Sequence, residues 1–109
     1  MPSQNPVVVV ATLKAKPESV EAVREAGRKA LAGVHEEPGC DLYSLHEAED
    51  GTFVFVEQWA DADALKTHST APAVGAFFGE IGEHLDGAPD IKLLQTVVGG
   101  DPAKAQLRP

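Results

Sequence analysis

Cys40-Asp41-Leu42-Tyr43-Ser44-Leu45-His46-Glu47 and Thr52-Phe53-Val54-Phe55-Val56-Glu57-Gln58-Trp59-Ala60 flank Glu49-Asp50-Gly51. Two β-branched and aromatic runs around Asp-Gly are the strongest short-range signal for a β-hairpin. Everything else in the chain arranges itself about this pair. Upstream, Val7-Val8-Val9-Val10-Ala11-Thr12-Leu13 is apolar on both parities and too short for a helix, so it reads as a strand buried on both faces. After Lys16-Pro17-Glu18 the period changes. Val20, Val23, Gly27, Ala30, Leu31 and Val34 recur at three- and four-residue steps and mark one stripe of a helix, which Pro38-Gly39 stops. Pro17 suits a first helical turn, and Glu18 and Glu21 stand where the helix dipole favours anions.

Downstream, Asp61 or Asp63 caps a short helix through Ala64, Leu65 and His68, and Pro72 interrupts it. Val74, Phe77, Phe78, Ile81 and Leu85 form a second helical stripe, broken by Gly87-Ala88-Pro89. Ile91 to Val98 reads as the last strand, and Gly99-Gly100-Asp101-Pro102 opens a mobile or arm-like tail. Strand, helix, strand, strand, helix, strand is the split βαβ order of ferredoxin-like α+β domains: an antiparallel sheet with helices on one face. The expected organisation is a disordered N-terminus over 1–6, a single domain over 7–98 and a C-terminal tail over 99–109.

The hairpin allows a prediction of faces, because directly opposed residues share one. A two-residue loop, Asp50-Gly51, sets His46 opposite Phe55, Ser44 opposite Glu57 and Leu42 opposite Trp59. A four-residue loop keeps that parity and a three-residue loop reverses it. On the even reading Leu42, Ser44, His46, Phe53, Phe55, Glu57 and Trp59 share a face, and Tyr43, Leu45, Val54, Val56 and Gln58 lie under the helices. The uncovered face would then expose three large aromatics among three polar groups. Such a surface suits a ligand pocket, a dimer interface, or two sheets packed face to face around a cavity.

Composition narrows the function. In 109 residues there are 43% hydrophobic and 24% charged residues, an ordinary globular balance. One domain of this size has no room for a full dinucleotide-binding fold. Nine basic against 17 acidic residues give a net charge of −8, which argues against nucleic acid and anionic membranes as partners. A single cysteine, Cys40, and the lack of a signal-like or membrane-length apolar run point to a cytoplasmic protein. His35, His46, His68 and His84 show no metal-ligand spacing, so no metal is expected. His35 and His84 read as solvent-facing residues near helix C-termini, and Cys40 as a small apolar filler.

The segments Glu37-Pro38-Gly39-Cys40, Tyr43-Ser44-Leu45-His46, Phe53 to Asp61 and Ala64-Leu65-Lys66-Thr67-His68 closely resemble the antibiotic biosynthesis monooxygenase family. That family's pattern is an E-P-G-C turn, a strand ending in histidine, a strand ending E-x-W and a helix carrying A-L-x-x-H, and the likeness spans roughly Val7 to Val98. The resemblance implies a homodimeric α+β barrel and oxidation of phenols, quinols or polycyclic aromatics by dioxygen without flavin, haem or metal. It also admits small-molecule isomerases, here with His68 as acid–base, and ligand-binding dimers without catalysis. The chain departs from the family at Ala71-Pro72-Ala73-Val74, where a histidine often follows the proline. Phe55 stands where the aromatic-polyketide oxygenases carry an asparagine, and Phe78 where the haem-degrading branch needs a histidine.

The candidate site residues follow from faces and resemblance together. His46, on the predicted pocket face, and His68, at the family's helix position, are the candidate bases for a phenol or enol. Trp59, Phe55, Ser44 and Glu57 are the candidate substrate contacts. The alternatives are structural: a sheet histidine bonded to a neighbour such as Glu57, a helix-surface histidine at 68, and a tryptophan that closes the core.

Overall fold

A computed structural model of the chain describes residues 5–108. The expectation of disorder over 1–6 therefore falls, for residues 1–4, outside the described residues. The elements run β1 (Val7–Lys14), a 3₁₀ turn (Pro17–Ser19), α1 (Val20–Val34), β2 (Cys40–Glu47), β3 (Thr52–Trp59), α2 (Ala62–Ser69), α3 (Pro72–Ile81), a 3₁₀ turn (Gly82–His84), β4 (Asp90–Leu94) and α4 (Pro102–Ala105). The sheet order is β2-β3-β1-β4, antiparallel throughout. β1 and β2 thus run parallel with β3 between them, the ferredoxin-like α+β arrangement expected. Pro17 opens the first helical segment, and Pro72 separates α2 from α3 because it cannot continue the α2 hydrogen-bond ladder. Among the described residues no helix is long and apolar enough to cross a membrane.

The hairpin corrects the predicted faces. Its loop has three residues, Glu49-Asp50-Gly51: the Ala48 amide donates to the Thr52 carbonyl at 2.8 Å, and Glu47 pairs with Phe53. A two-residue turn of the common type needs positive φ at both central positions. Here only Gly51 adopts it, at φ 87°, and Asp50 stays at negative φ. Asp50 instead accepts the Thr52 amide through Oδ1 at 3.1 Å, an Asx-type closure that favours the longer loop. The pairs are therefore Tyr43–Glu57, Leu45–Phe55 and Glu47–Phe53 on one face, and Ser44–Val56 and His46–Val54 on the other. A bulge at Asp41 sets Cys40 opposite Trp59 and Leu42 opposite Gln58.

The helices cover the face that carries Phe53, Phe55, Glu57 and Trp59, not the opposite one. Phe53 and Trp59 are fully buried and Phe55 nearly so, together with Val9, Leu13, Val23, Val34, Phe77 and Ile81. Each such side chain contributes roughly 1.5–3 kcal/mol through burial. The argument for a dimer from exposed aromatics loses its premise, because these aromatics form the core beneath the helices. The outer face carries half-buried Val10, Leu42, Val54 and Val56, so β1 is fully buried on one side only.

The last strand is shorter than Ile91–Val98. Leu94 already pairs with Val8, one residue from the start of β1, so the segment beyond it has no strand to bond. The tail is not wholly free. Asp101 caps α4 by accepting the Ala103 amide, and Arg108 exchanges two hydrogen bonds with the buried Gln58 amide at 3.2 Å each.

Candidate active site

Between the inner sheet face and the helices lies a cavity of about 380 Å³, a size typical of small-molecule sites. Val9, Ala11, Leu13 and Phe55 form its floor, Ala30 and Val34 of α1 one wall, and Leu65, Val74, Phe77 and Phe78 of α2 and α3 the roof. Ile91 and Leu93 of the edge strand β4 line it too, and both are exposed. The aromatic lining is ordered: Tyr43 stacks on Phe55 at 5.0 Å, and Phe55 meets Phe77 edge-on at 5.4 Å. Offset and edge-to-face contacts of this kind hold rings in place and leave flat apolar walls.

One end of the cavity is polar, and local chain geometry makes it so. Asp61, two residues after the end of β3, caps α2 by accepting the Ala64 amide at 2.8 Å. The Pro38-Gly39 turn presses against the same helix. A Cβ on Gly39, whose φ is +79°, would lie 2.5 Å from Ala64 Cβ, so only glycine allows the approach. The Ala60 amide donates to the Gly39 carbonyl at 2.8 Å and ties the turn to the end of β3. Glu37, just before the turn, is thereby brought to His68: Glu37 Oε1 lies 2.8 Å from His68 Nδ1.

His68 is 7% exposed and packs on the Trp59 indole, with ring centroids 4.3 Å apart. Tyr43 meets it edge-on at 5.4 Å. Its other nitrogen, Nε2, lies 3.9 Å from Glu57 Oε1, beyond hydrogen-bond range. That same Glu57 oxygen accepts the Trp59 indole N–H at 3.0 Å. With Nδ1–H donating to Glu37, Nε2 is left as a basic nitrogen. The ring thus lies between two carboxyl groups, over an indole face and in the last turn of α2.

The charge balance of this pocket is acidic. Burial pushes the Glu57 carboxyl above its ordinary range, and the nearby Glu37 charge adds to that. The Trp59 hydrogen bond and His68 oppose it. Burial, then Glu57 and Glu37, likewise raise the Tyr43 phenol, and burial with Glu37, Asp41 and Glu57 raises the Cys40 thiol. Glu37 Oε2 is buried without a hydrogen-bond partner among the described residues, a cost that buried carboxylates seldom carry.

The structure brings His68, Glu57 and Phe55 to this cavity, holds Trp59 fully buried behind His68 rather than on the lining, as the core-closing alternative had it, and leaves His46 and Ser44 out. Those two occupy the outer face, where His46 is exposed and its Nε2 lies 3.0 Å from Ser44 Oγ. The reversed hairpin parity is the reason. Glu37 and Tyr43 belong to the site without having been assigned a role from sequence. A carboxylate immediately before a Pro-Gly turn was the available signal for Glu37. Of the remaining histidines, His35 is exposed as expected and reaches the Tyr43 carbonyl at 2.9 Å. His84 is half-buried, with Nδ1 2.8 Å from Ser19 Oγ, rather than solvent-facing.

Comparison with known proteins adds to this geometry. Residues 6–80 match the family model of antibiotic biosynthesis monooxygenases. A Bacillus subtilis protein provisionally named a monooxygenase is 32% identical over 85 residues, covering 76% of this chain and 88% of its own. An uncharacterised Synechocystis protein is 30% identical over 93 residues, covering 84% of this chain, which spans only 63% of that relative's length. Among solved structures, a Caulobacter crescentus protein provisionally described as an antibiotic biosynthesis monooxygenase superposes with a TM-score of 0.81 at 33% identity, covering 87% of this chain and 92% of its own. A Pseudomonas aeruginosa protein superposes at 0.79 with 28% identity, covering 86% and 96%.

Proposed function

The chain belongs to the antibiotic biosynthesis monooxygenase family, and from that premise we propose that its helix-covered cavity oxidises a neutral phenolic or quinol-type aromatic with dioxygen, His68 serving as the base. One observation carries the reading: a buried imidazole, pinned through Nδ1 by Glu37, stands at the polar end of an apolar, aromatic-walled cavity. Among the described residues no lysine or arginine lines that cavity, while Glu57 does and Glu37 adjoins His68, so a substrate arriving as an anion would meet no permanent positive charge.

Triplet dioxygen reacts slowly with closed-shell molecules, and an electron-rich phenolate lowers that barrier by giving up one electron. In the proposed sequence His68 Nε2 takes the hydroxyl proton. The phenolate reduces dioxygen to superoxide, and the radical pair closes to a hydroperoxide on a ring carbon. That carbon then loses its hydrogen as the O–O bond breaks. One oxygen stays as a new carbonyl and the other leaves as water, with His68 returning its proton. The substrate supplies all four electrons, so the balance needs no further reductant. Apolar walls shield the anion and radicals from water, and Trp59 under the imidazole steadies its charged form.

Action as a homodimer is part of the proposal. Its support is the half-buried Val10, Leu42, Val54 and Val56 on the outer face and the exposed Ile91 and Leu93 of β4. Sedimentation at micromolar concentration checks it, and a monomer alone would overturn it. The reaction is tested with 1,4-dihydroxynaphthalene under ¹⁸O-labelled dioxygen. One labelled oxygen atom in a hydroxynaphthoquinone product is expected. Quinol consumption without incorporation above the protein-free control would overturn the oxygenation.

A further inference from the structure

Glu57 is a carboxyl group for which the reaction above has no use, yet it lines the His68 end of the cavity, together with Tyr43 and Ser69. Its side chain is 5% exposed, and no lysine or arginine among the described residues pairs with it. The groups that face it are His68 from α2, Glu37 from the turn after α1, Tyr43 and Cys40 from β2 and Trp59 on its own strand, while β1 sets Val9 opposite it. Two carboxyls thus share one imidazole, and Glu37 already holds that imidazole directly. A second uncompensated carboxylate in an apolar pocket is unfavourable, and protonation relieves it. Oε1 is occupied by the Trp59 N–H, whereas Oε2 has no hydrogen-bond partner among the described residues, so on this cavity-lining side chain it is the oxygen free to meet a ligand.

The spacing supplies the geometric argument. Glu57 Oε1 stands 3.9 Å from His68 Nε2, and Oε2 is bonded to the same carboxyl carbon, so Nε2 and an O–H on Oε2 can both be turned toward one substrate oxygen placed between them. We propose that Glu57 is a second catalytic group, a neutral carboxylic acid that donates a hydrogen bond to the same substrate oxygen that His68 deprotonates, and so holds the resulting phenolate. This rests on the reading of the site as phenol-deprotonating. It divides the work between two residues: the imidazole removes the proton, and the carboxylic acid receives the negative charge it leaves behind. A donor fixed in a water-poor site is worth more to a developing oxyanion than the same donor in water.

The probe is 4-nitrophenol, whose anion is coloured and which is not consumed under argon. Wild type, Glu57→Gln and Glu57→Leu are titrated with it from acid to alkaline pH, and affinity for the anion is read by absorbance. If Glu57 must be protonated to hold the anion, wild type loses affinity with rising pH through one more proton than Glu57→Gln does. The amide of that variant donates at every pH, and its carbonyl can still accept from Trp59. Glu57→Leu should bind the anion about ten- to a hundredfold more weakly than wild type at neutral pH. Equal proton dependence in wild type and Glu57→Gln, or equal anion affinity in all three, would overturn the proposal. Should Glu57→Leu fail to fold, the wild-type and Gln profiles decide it alone. The two readings fail separately. The extra proton step without ¹⁸O incorporation would sink the oxygenation and leave Glu57 as the anion's donor. Incorporation with equal profiles would do the opposite.

Discussion

The two faces of the sheet are built from the same strands in alternation, and they have become different chemical environments. Beneath the helices, Phe53, Phe55 and Trp59 are buried, and the histidine nearest them, His68, sits between two carboxyl groups and an indole. On the outer face, His46 is exposed, and its hydrogen-bond neighbour is Ser44 on the same strand. One imidazole is held by a carboxyl partner and borders an apolar cavity. The other has water. For the side chains of β2 and β3 the environment is set by the side of the strand they occupy, which one residue of hairpin loop reverses.

The largest effect expected from breaking this contrast is kinetic. His68→Ala should lower turnover by roughly 10²–10⁴, as removal of a general base does. His46→Ala should leave turnover and melting temperature nearly unchanged, with stability within about 0.5 kcal/mol of wild type. Parallel rate and unfolding measurements check both, and the reverse pattern would move the chemistry to the outer face.

Packing should follow the same division. Trp59→Ala should destabilise by about 3–5 kcal/mol in denaturant unfolding, because a fully buried indole leaves a cavity and its removal strips Glu57 and His68 of a neighbour. Val54→Ala, on the outer face, should cost about 1 kcal/mol. Gly51→Ala tests what separates the faces: at φ +87° a side chain should cost about 1–2 kcal/mol. An unaltered melting temperature would mean that the loop does not set the register.

The smallest expected effect is a slope. Burial raises the folded-state carboxyl of Glu57 above its unfolded range. Below that unfolded range both states are protonated and nothing is lost. As pH rises toward the raised value, the unfolded chain ionises more readily, and stability falls. Glu57→Gln lacks this loss, so its melting temperature relative to wild type should climb from acid toward neutral pH. Glu47 behaves with the opposite sign. Its bond to Arg24 lowers its carboxyl, so its contribution is present above the ordinary carboxylate range and is lost as pH falls. Parallel wild-type and Glu57→Gln melting curves across that range would contradict the burial of an acid at 57.

The elements were legible because each was announced locally: the Val7–Leu13 run, the α1 stripe, Pro72 between two helices, Asp-Gly at the hairpin. Face assignment was not, because it depends on loop length, and Asp50-Gly51 is compatible with two- and three-residue loops. Asp50 closed the longer one with its side chain, a choice between turns of similar energy that composition does not reveal. Three of the residues singled out, His68, Glu57 and Phe55, line the cavity, for mixed reasons. The resemblance marked His68, and a β3 face reading as aromatics with a polar group among them marked Phe55 and Glu57, although that face was taken for the uncovered one. Glu37 escaped because its partner lies 31 positions away and meets it only through the close approach of Gly39 to α2.

The central claim is that small-molecule chemistry belongs to the helix-covered cavity and to His68. The four histidines provide a direct readout, since isotope-labelled imidazoles at 35, 46, 68 and 84 can be followed separately by nuclear magnetic resonance while 1,4-naphthoquinone is added. The ring signals of His68 should move with saturation and those of His46 should stay in place. Saturable movement of His46 with His68 unperturbed would contradict the account.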